Sequence, residues 1–148
     1  MPSALLWTLG VLAGVLIPVQ TALNAQLGRT AGHPLLTTLV VFIVGGVACA
    51  LGLAVVRPFL PDLAAWRAAP PVAWGGGIIA MAYVVLLVFL APRIGVGLTT
   101  ALVLVGQLAA ALALDHFGAL GNPVHALNLA RALGFVLMVA GVALIKIY

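Results

Sequence analysis

Three observations predict an all-α integral membrane protein, a bundle of five transmembrane helices. Five apolar runs follow one another along the chain, each close to the ~20 residues that a helix needs to cross the hydrocarbon core at about 1.5 Å per residue. Hydrophobic residues make up 66% of the 148 and charged residues only 5%, more apolar surface than a soluble domain could hide. The charged residues, Arg29, Arg57, Asp62, Arg67, Arg93, Asp115, Arg131 and Lys146, fall at the ends of the runs and so mark the loops. A transmembrane barrel is excluded, because it needs alternating strands of about ten residues and these runs are continuous.

The first span covers residues 3–27, with Trp7 at interface depth. Pro18 interrupts it, and a proline there has no N–H for the Gly14 carbonyl, so a hinge or kink is expected at that point. The second span, 34–56, opens at Pro34, a favourable first-turn residue, and closes before Arg57-Pro58. Within it Gly45, Gly46, Cys49 and Ala50 offer small residues for close helix approach. Residues 57 to 71, rich in proline and carrying Asp62, Trp66 and Arg67, form an interfacial loop. The third span, 72–91, opens with Trp74 and three glycines and carries Tyr83 near its middle. The fourth, 94–115, holds Thr99, Thr100, Gly106 and Gln107. A Gly121-Asn122-Pro123 turn precedes the fifth, 124–147, on which Gly134 and Gly141 read as a packing seam. The chain is expected to form a single transmembrane domain, 1–148, whose termini lie on opposite sides of the bilayer.

Polar groups inside these runs are the functional signal. Gln20 and Asn24 stand four residues apart on one helix face, and an unpaired amide in lipid costs about 2–7 kcal/mol. Both should therefore face protein or a water-filled cavity, and the same holds for Gln107 and for the Tyr83 hydroxyl. Two readings follow. Gln20, Asn24, Tyr83 and Gln107 could line a substrate site, with Trp74 and Tyr83 offering aromatic faces to a cation. Alternatively they are helix-packing glue, each bond contributing about 0.6 kcal/mol, in a structural or accessory subunit that transports nothing. Asp115 ends a helix whose C-terminal dipole is already negative, so it needs a cation; Arg131, on the same side and about two turns into the fifth span, is the candidate for an ion pair or gate.

Several classes are excluded. The net charge of +4 comes from scattered residues that form no basic patch, so lipid headgroups explain it and nucleic acid is dismissed. His33, His116, His125, Asp115 and Cys49 show no metal-ligand or nucleophile spacing, so neither an enzyme, a metal nor a cofactor is expected. Cys49 is the single cysteine and cannot form an internal disulfide.

The chain resembles the half-sized, YdcZ-like branch of the drug/metabolite transporter superfamily. The resemblance rests on Pro18-Val19-Gln20 with Asn24, Pro34, Trp74 with its glycine cluster, Gly106-Gln107, Asp115-His116-Phe117-Gly118 and Arg131-Ala132-Leu133-Gly134. It implies a bacterial inner-membrane exporter of small molecules, in a family whose five-span proteins pair as antiparallel dimers or occur as fused or paired halves; for this chain an antiparallel homodimer is expected. The related small multidrug resistance proteins carry an acidic residue in their first helix; here that helix has no carboxylate, so their cation-antiport mechanism does not carry over. Any proton coupling must then use Asp115 or His116. Charge balance agrees with dual topology: Arg57, Arg67 and Arg131 fall on one side, and Arg29, Arg93 and Lys146 on the other. Three against three gives no orientation bias. An antiparallel pair would supply the ten-helix inverted repeat through which a transporter alternates access to a small polar or cationic solute.

Overall fold

The computed structural model describes residues 3–147, and among them all regular structure is helical. Five helical segments are long and apolar enough to cross a membrane. The chain divides into two compact units, one holding the residues up to Pro18 and from Ile94 onward, the other Val19–Arg93. The division falls inside the first helix, α1 (Ser3–Ala31), which is helical through Pro18 and ends four residues beyond the expected Leu27.

The unit Val19–Arg93 contains the second half of α1, α2 (Pro34–Val56), the short α3 (Leu63–Arg67) and α4 (Gly75–Ile94). Gly32, at φ 73°, turns the chain after α1, and His33 then caps α2, its Nδ1 accepting from Leu35 N at 3.2 Å. Imidazole replaces the usual hydroxyl or carboxylate in satisfying an orphan donor of the first turn. The stretch expected as a loop holds α3, started by Asp62, whose Oδ1 accepts from Ala65 N at 2.8 Å. A 3₁₀ turn, Pro71–Trp74, leads directly into α4, so the third span begins with tighter backbone and ends at Ile94. Near that end Arg93 folds back on its own helix: Nη1 donates to Phe89 O, and the guanidinium lies 3.5 Å over the Phe89 ring. Its charge is thereby held at the last turn, where the dipole favours a cation.

The buried residues of this unit are few and unusually polar. Ala25, Val84, Leu87, Val88 and Ala91 are buried together with Thr21, Asn24, Thr37 and Thr38. The close approach is made at Gly28, where an added Cβ would lie 3.0 Å from Val88 Cγ1 and 3.6 Å from Thr37 Oγ1. The small residues expected to permit such approach do not: Cβ atoms at Gly45 or Gly46 would meet nothing within 4 Å, and Cys49 is exposed. A bilayer solvates bare glycine and leucine alike, so a small-residue stripe is used only where a partner helix reaches it.

The other unit contains the first half of α1, α5 (Val96–Phe117) and α6 (Leu129–Ile147), with α5 and α6 packed as an antiparallel pair. Gly95, at φ 83°, separates α4 from α5, and Gly118, at φ 59°, ends α5. A Cβ at Gly118 would stand 2.6 Å from Val124 Cγ2, so only glycine fits this tight left-handed turn. The fifth span starts at Leu129 rather than 124, because residues 122 to 128 are held as an irregular connection. His125 N donates to Asp115 O at 2.8 Å, Leu127 N donates to His116 Nδ1 at 3.1 Å, and Asn128 Oδ1 caps α6 by accepting from Arg131 N at 2.9 Å. Gly134 and Gly141 have nothing within 4 Å of a would-be Cβ, so the expected seam is not filled within the chain.

Candidate functional site

In the unit Val19–Arg93 the buried face of α1 carries Thr21, Asn24, Ala25 and Gly28. Their spacing of three and four residues makes one stripe, with Gly28 seated against α2 and α4. Gln20 lies about 90° round the helix from the centre of that stripe, at about 100° per residue, and is exposed. The amides of Gln20 and Asn24 therefore share a side of the helix without sharing an environment. α1 and α4 are alternate spans and run the same way, so Gly28 beside Val88 puts Asn24 at the level of Val84, next in sequence to the half-buried Tyr83.

The hydrogen bonding separates spent groups from available ones. Thr37 Oγ1 donates to His33 O at 3.1 Å and Thr38 Oγ1 to Pro34 O at 2.9 Å, so both hydroxyls use their proton on the preceding turn. Asn24 is only 6% exposed, yet its Nδ2 has no partner. The side chains of Gln20 and Tyr83 also make no hydrogen bond within the chain among the described residues. A donor left unpaired in such surroundings would cost about 1–3 kcal/mol, so the Asn24 amide calls for a partner from outside the chain.

Trp74 stands apart from this face. Its ring lies 6.1 Å from that of Trp66 at an interplanar angle of 49°, in a shallow recess with Leu63, Arg67, Ala69 and Pro71. Nine residues separate it from Tyr83, about 13 Å at helical rise, so the two rings do not form one aromatic face. The apolar recess of about 510 Å³ at the start of α2 is lined by His33, Leu35, Leu36, Thr38, Leu39, Phe42 and Met81. None of the in-span amides borders it.

In the other unit Gln107 is exposed on α5, and its side chain makes no hydrogen bond within the chain among the described residues. At the end of the same helix Arg131 Nη1 lies 3.4 Å from Asp115 Oδ2, both side chains being 37% exposed, and the same Nη1 donates to His125 O at 3.1 Å. Arg131 is the third residue of α6, not two turns inside it, so the pair sits where the loop meets the helix ends. Among the described residues no three of His, Cys, Asp or Glu come together as metal ligands.

Sequence reasoning missed Thr21, Thr37 and Thr38 as buried hydroxyls. Thr21 was legible as the residue three before Asn24; Thr37 and Thr38 could have been read from their place in the first turn after Pro34, where hydroxyls bond back to the chain.

The family described as "Putative inner membrane exporter, YdcZ" has a model that matches residues 5–144. No curated protein and no solved structure matches the chain. The match reaches into all five membrane-capable helices and both units, so the chain belongs to the YdcZ family and is a multi-pass inner-membrane protein.

Proposed function

We propose that the chain exports a small polar or cationic solute by alternating access, with Gln20, Asn24 and Tyr83 forming a solute-binding polar face and Gln107 offering an amide of the same kind on α5. One observation supports this reading over packing glue: among the described residues, none of the amides of Gln20, Asn24 and Gln107 is hydrogen-bonded inside the chain. Glue within a chain would be bonded, and a polar group facing lipid would carry a penalty of about 2–7 kcal/mol. Unspent donors and acceptors suit a hydrated pathway that a solute can enter. Pro18 would serve as hinge, since it removes one helical hydrogen bond at the division between the units.

In this reading the working form is an antiparallel homodimer, a ten-helix assembly of two single-domain chains. Arg57, Arg67 and Arg131 against Arg29, Arg93 and Lys146 leave neither orientation favoured, and two opposed copies supply the inverted repeat that alternating access uses.

The test is flux in proteoliposomes, measured with a panel of a quaternary ammonium dye, guanidinium, a polyol and an amino acid. Gln20→Leu and Gln107→Leu should each abolish flux of whichever solute the parent moves, with insertion and dimer content unchanged. Loss of the dimer with no loss of flux per remaining dimer would show that these amides are glue.

A further inference from the structure

We propose that the groove between α5 and α6 binds a phospholipid whose headgroup joins a primary ammonium to a phosphodiester, with Asp115 and Arg131 as its two charged contacts. Its lining includes none of Gln20, Asn24, Tyr83 or Gln107. Leu108, Ala111, Leu112 and Phe135 wall a groove of about 430 Å³, Gly134 leaves space in it, and the Asp115–Arg131 pair stands at its mouth. From Leu108 to Asp115 is seven residues, so the apolar part reaches about 10 Å along the helix, from the headgroup level toward the hydrocarbon. That is the depth at which the glycerol backbone and first carbons of a lipid lie.

The charges at the mouth are only partly used. Arg131 commits Nη1 to Asp115 and to His125 O, and makes no other side-chain hydrogen bond, so Nε and Nη2 keep donors for phosphate oxygens. Asp115 accepts with Oδ2 alone, leaving Oδ1 for an ammonium. At 37% exposure each, both remain reachable. A cation and an anion side by side suit a zwitterion and not a purely anionic or purely cationic headgroup. A primary ammonium can donate to Oδ1, whereas a trimethylammonium cannot. The free headgroup would leave the apolar groove unfilled, so the acyl chain is part of the ligand.

The experiment uses the full chain in detergent micelles with phosphatidylethanolamine, phosphatidylcholine and phosphatidylglycerol of identical acyl chains in equal amounts, read by native mass spectrometry. Phosphatidylethanolamine should be retained in preference to the other two by about tenfold, the ratio that one charge-assisted contact supplies. Asp115→Asn and Arg131→Gln should abolish that preference. Gly134→Leu fills the groove where nothing stands within 4 Å, so it should reduce retention of every lipid while the chain stays folded and its ion pair stays intact. Equal retention of all three lipids by the parent, or retention unchanged by Gly134→Leu, would overturn the proposal in favour of ordinary annular lipid. Displacement by soluble phosphoethanolamine as readily as by the lipid would also overturn it.

Discussion

Breaking the Asp115–Arg131 pair gives a number that can be worked out beforehand. Two unit charges 3.4 Å apart attract by about 5 kcal/mol at an effective dielectric of about 20. Both side chains are 37% exposed, and measured exposed pairs contribute only about 0.2–1 kcal/mol, so a coupling of about 1 kcal/mol is expected. Asp115→Asn removes the ion pair alone and should cost about that much. Arg131→Gln removes the pair and also the 3.1 Å bond to His125 O, so it should cost about 2 kcal/mol. The double variant should then cost about 2 kcal/mol, not the 3 that simple addition gives, because the pair can be lost only once. The loop itself should survive in all three, since His125 N donates to the main-chain oxygen of Asp115 and that bond is untouched. Reversible unfolding in mixed micelles at rising denaturing-detergent fraction reads these differences directly. Singles that add to within about 0.3 kcal/mol would refute the pair as an energetic contact. Equal costs for the two singles would refute the role of the His125 carbonyl.

Other predictions follow from contacts. Gly118→Ala places a Cβ 2.6 Å from Val124 Cγ2 at φ 59°, so the α5–α6 turn should lose about 2–3 kcal/mol in the same unfolding assay. Gly28→Leu should destabilise by about 3 kcal/mol through overpacking against Val88 and Thr37, whereas Gly45→Leu, with nothing within 4 Å, should stay within about 0.5 kcal/mol of the parent. A C-terminal reporter should be found on both sides of the membrane, and one or two lysines added to a single loop should move it to one side; a reporter on one side only, unmoved by added charge, would leave a parallel dimer.

The spans and most of their ends were legible in the sequence, because a bilayer demands long apolar runs and the breakers stand between them. Pro34 opens α2 and Arg57 closes it as expected, the latter in left-handed backbone at φ 48°. Local chemistry that depends on unremarkable residues was harder to read: α6 starts at Leu129 because Asn128 caps it and the preceding loop is tied to Asp115 and His116. The candidate face was legible only as a set of in-span polar groups, not as an arrangement. In a soluble helix the apolar stripe shows which side is buried; in these helices apolar residues run all round, so the pattern carries little record of the inward face. Sequence alone therefore determined a five-span inner-membrane protein with amides inside its apolar runs and charges between them. Only tertiary structure decided that Asn24 is buried while Gln20 is exposed, that Trp74 stacks near Trp66 and away from Tyr83, and that Gly28 rather than Gly45 takes the close helix contact. The reason is that each of these depends on which neighbouring helix arrives within van der Waals range, and lipid-facing and helix-facing glycines look alike in a sequence.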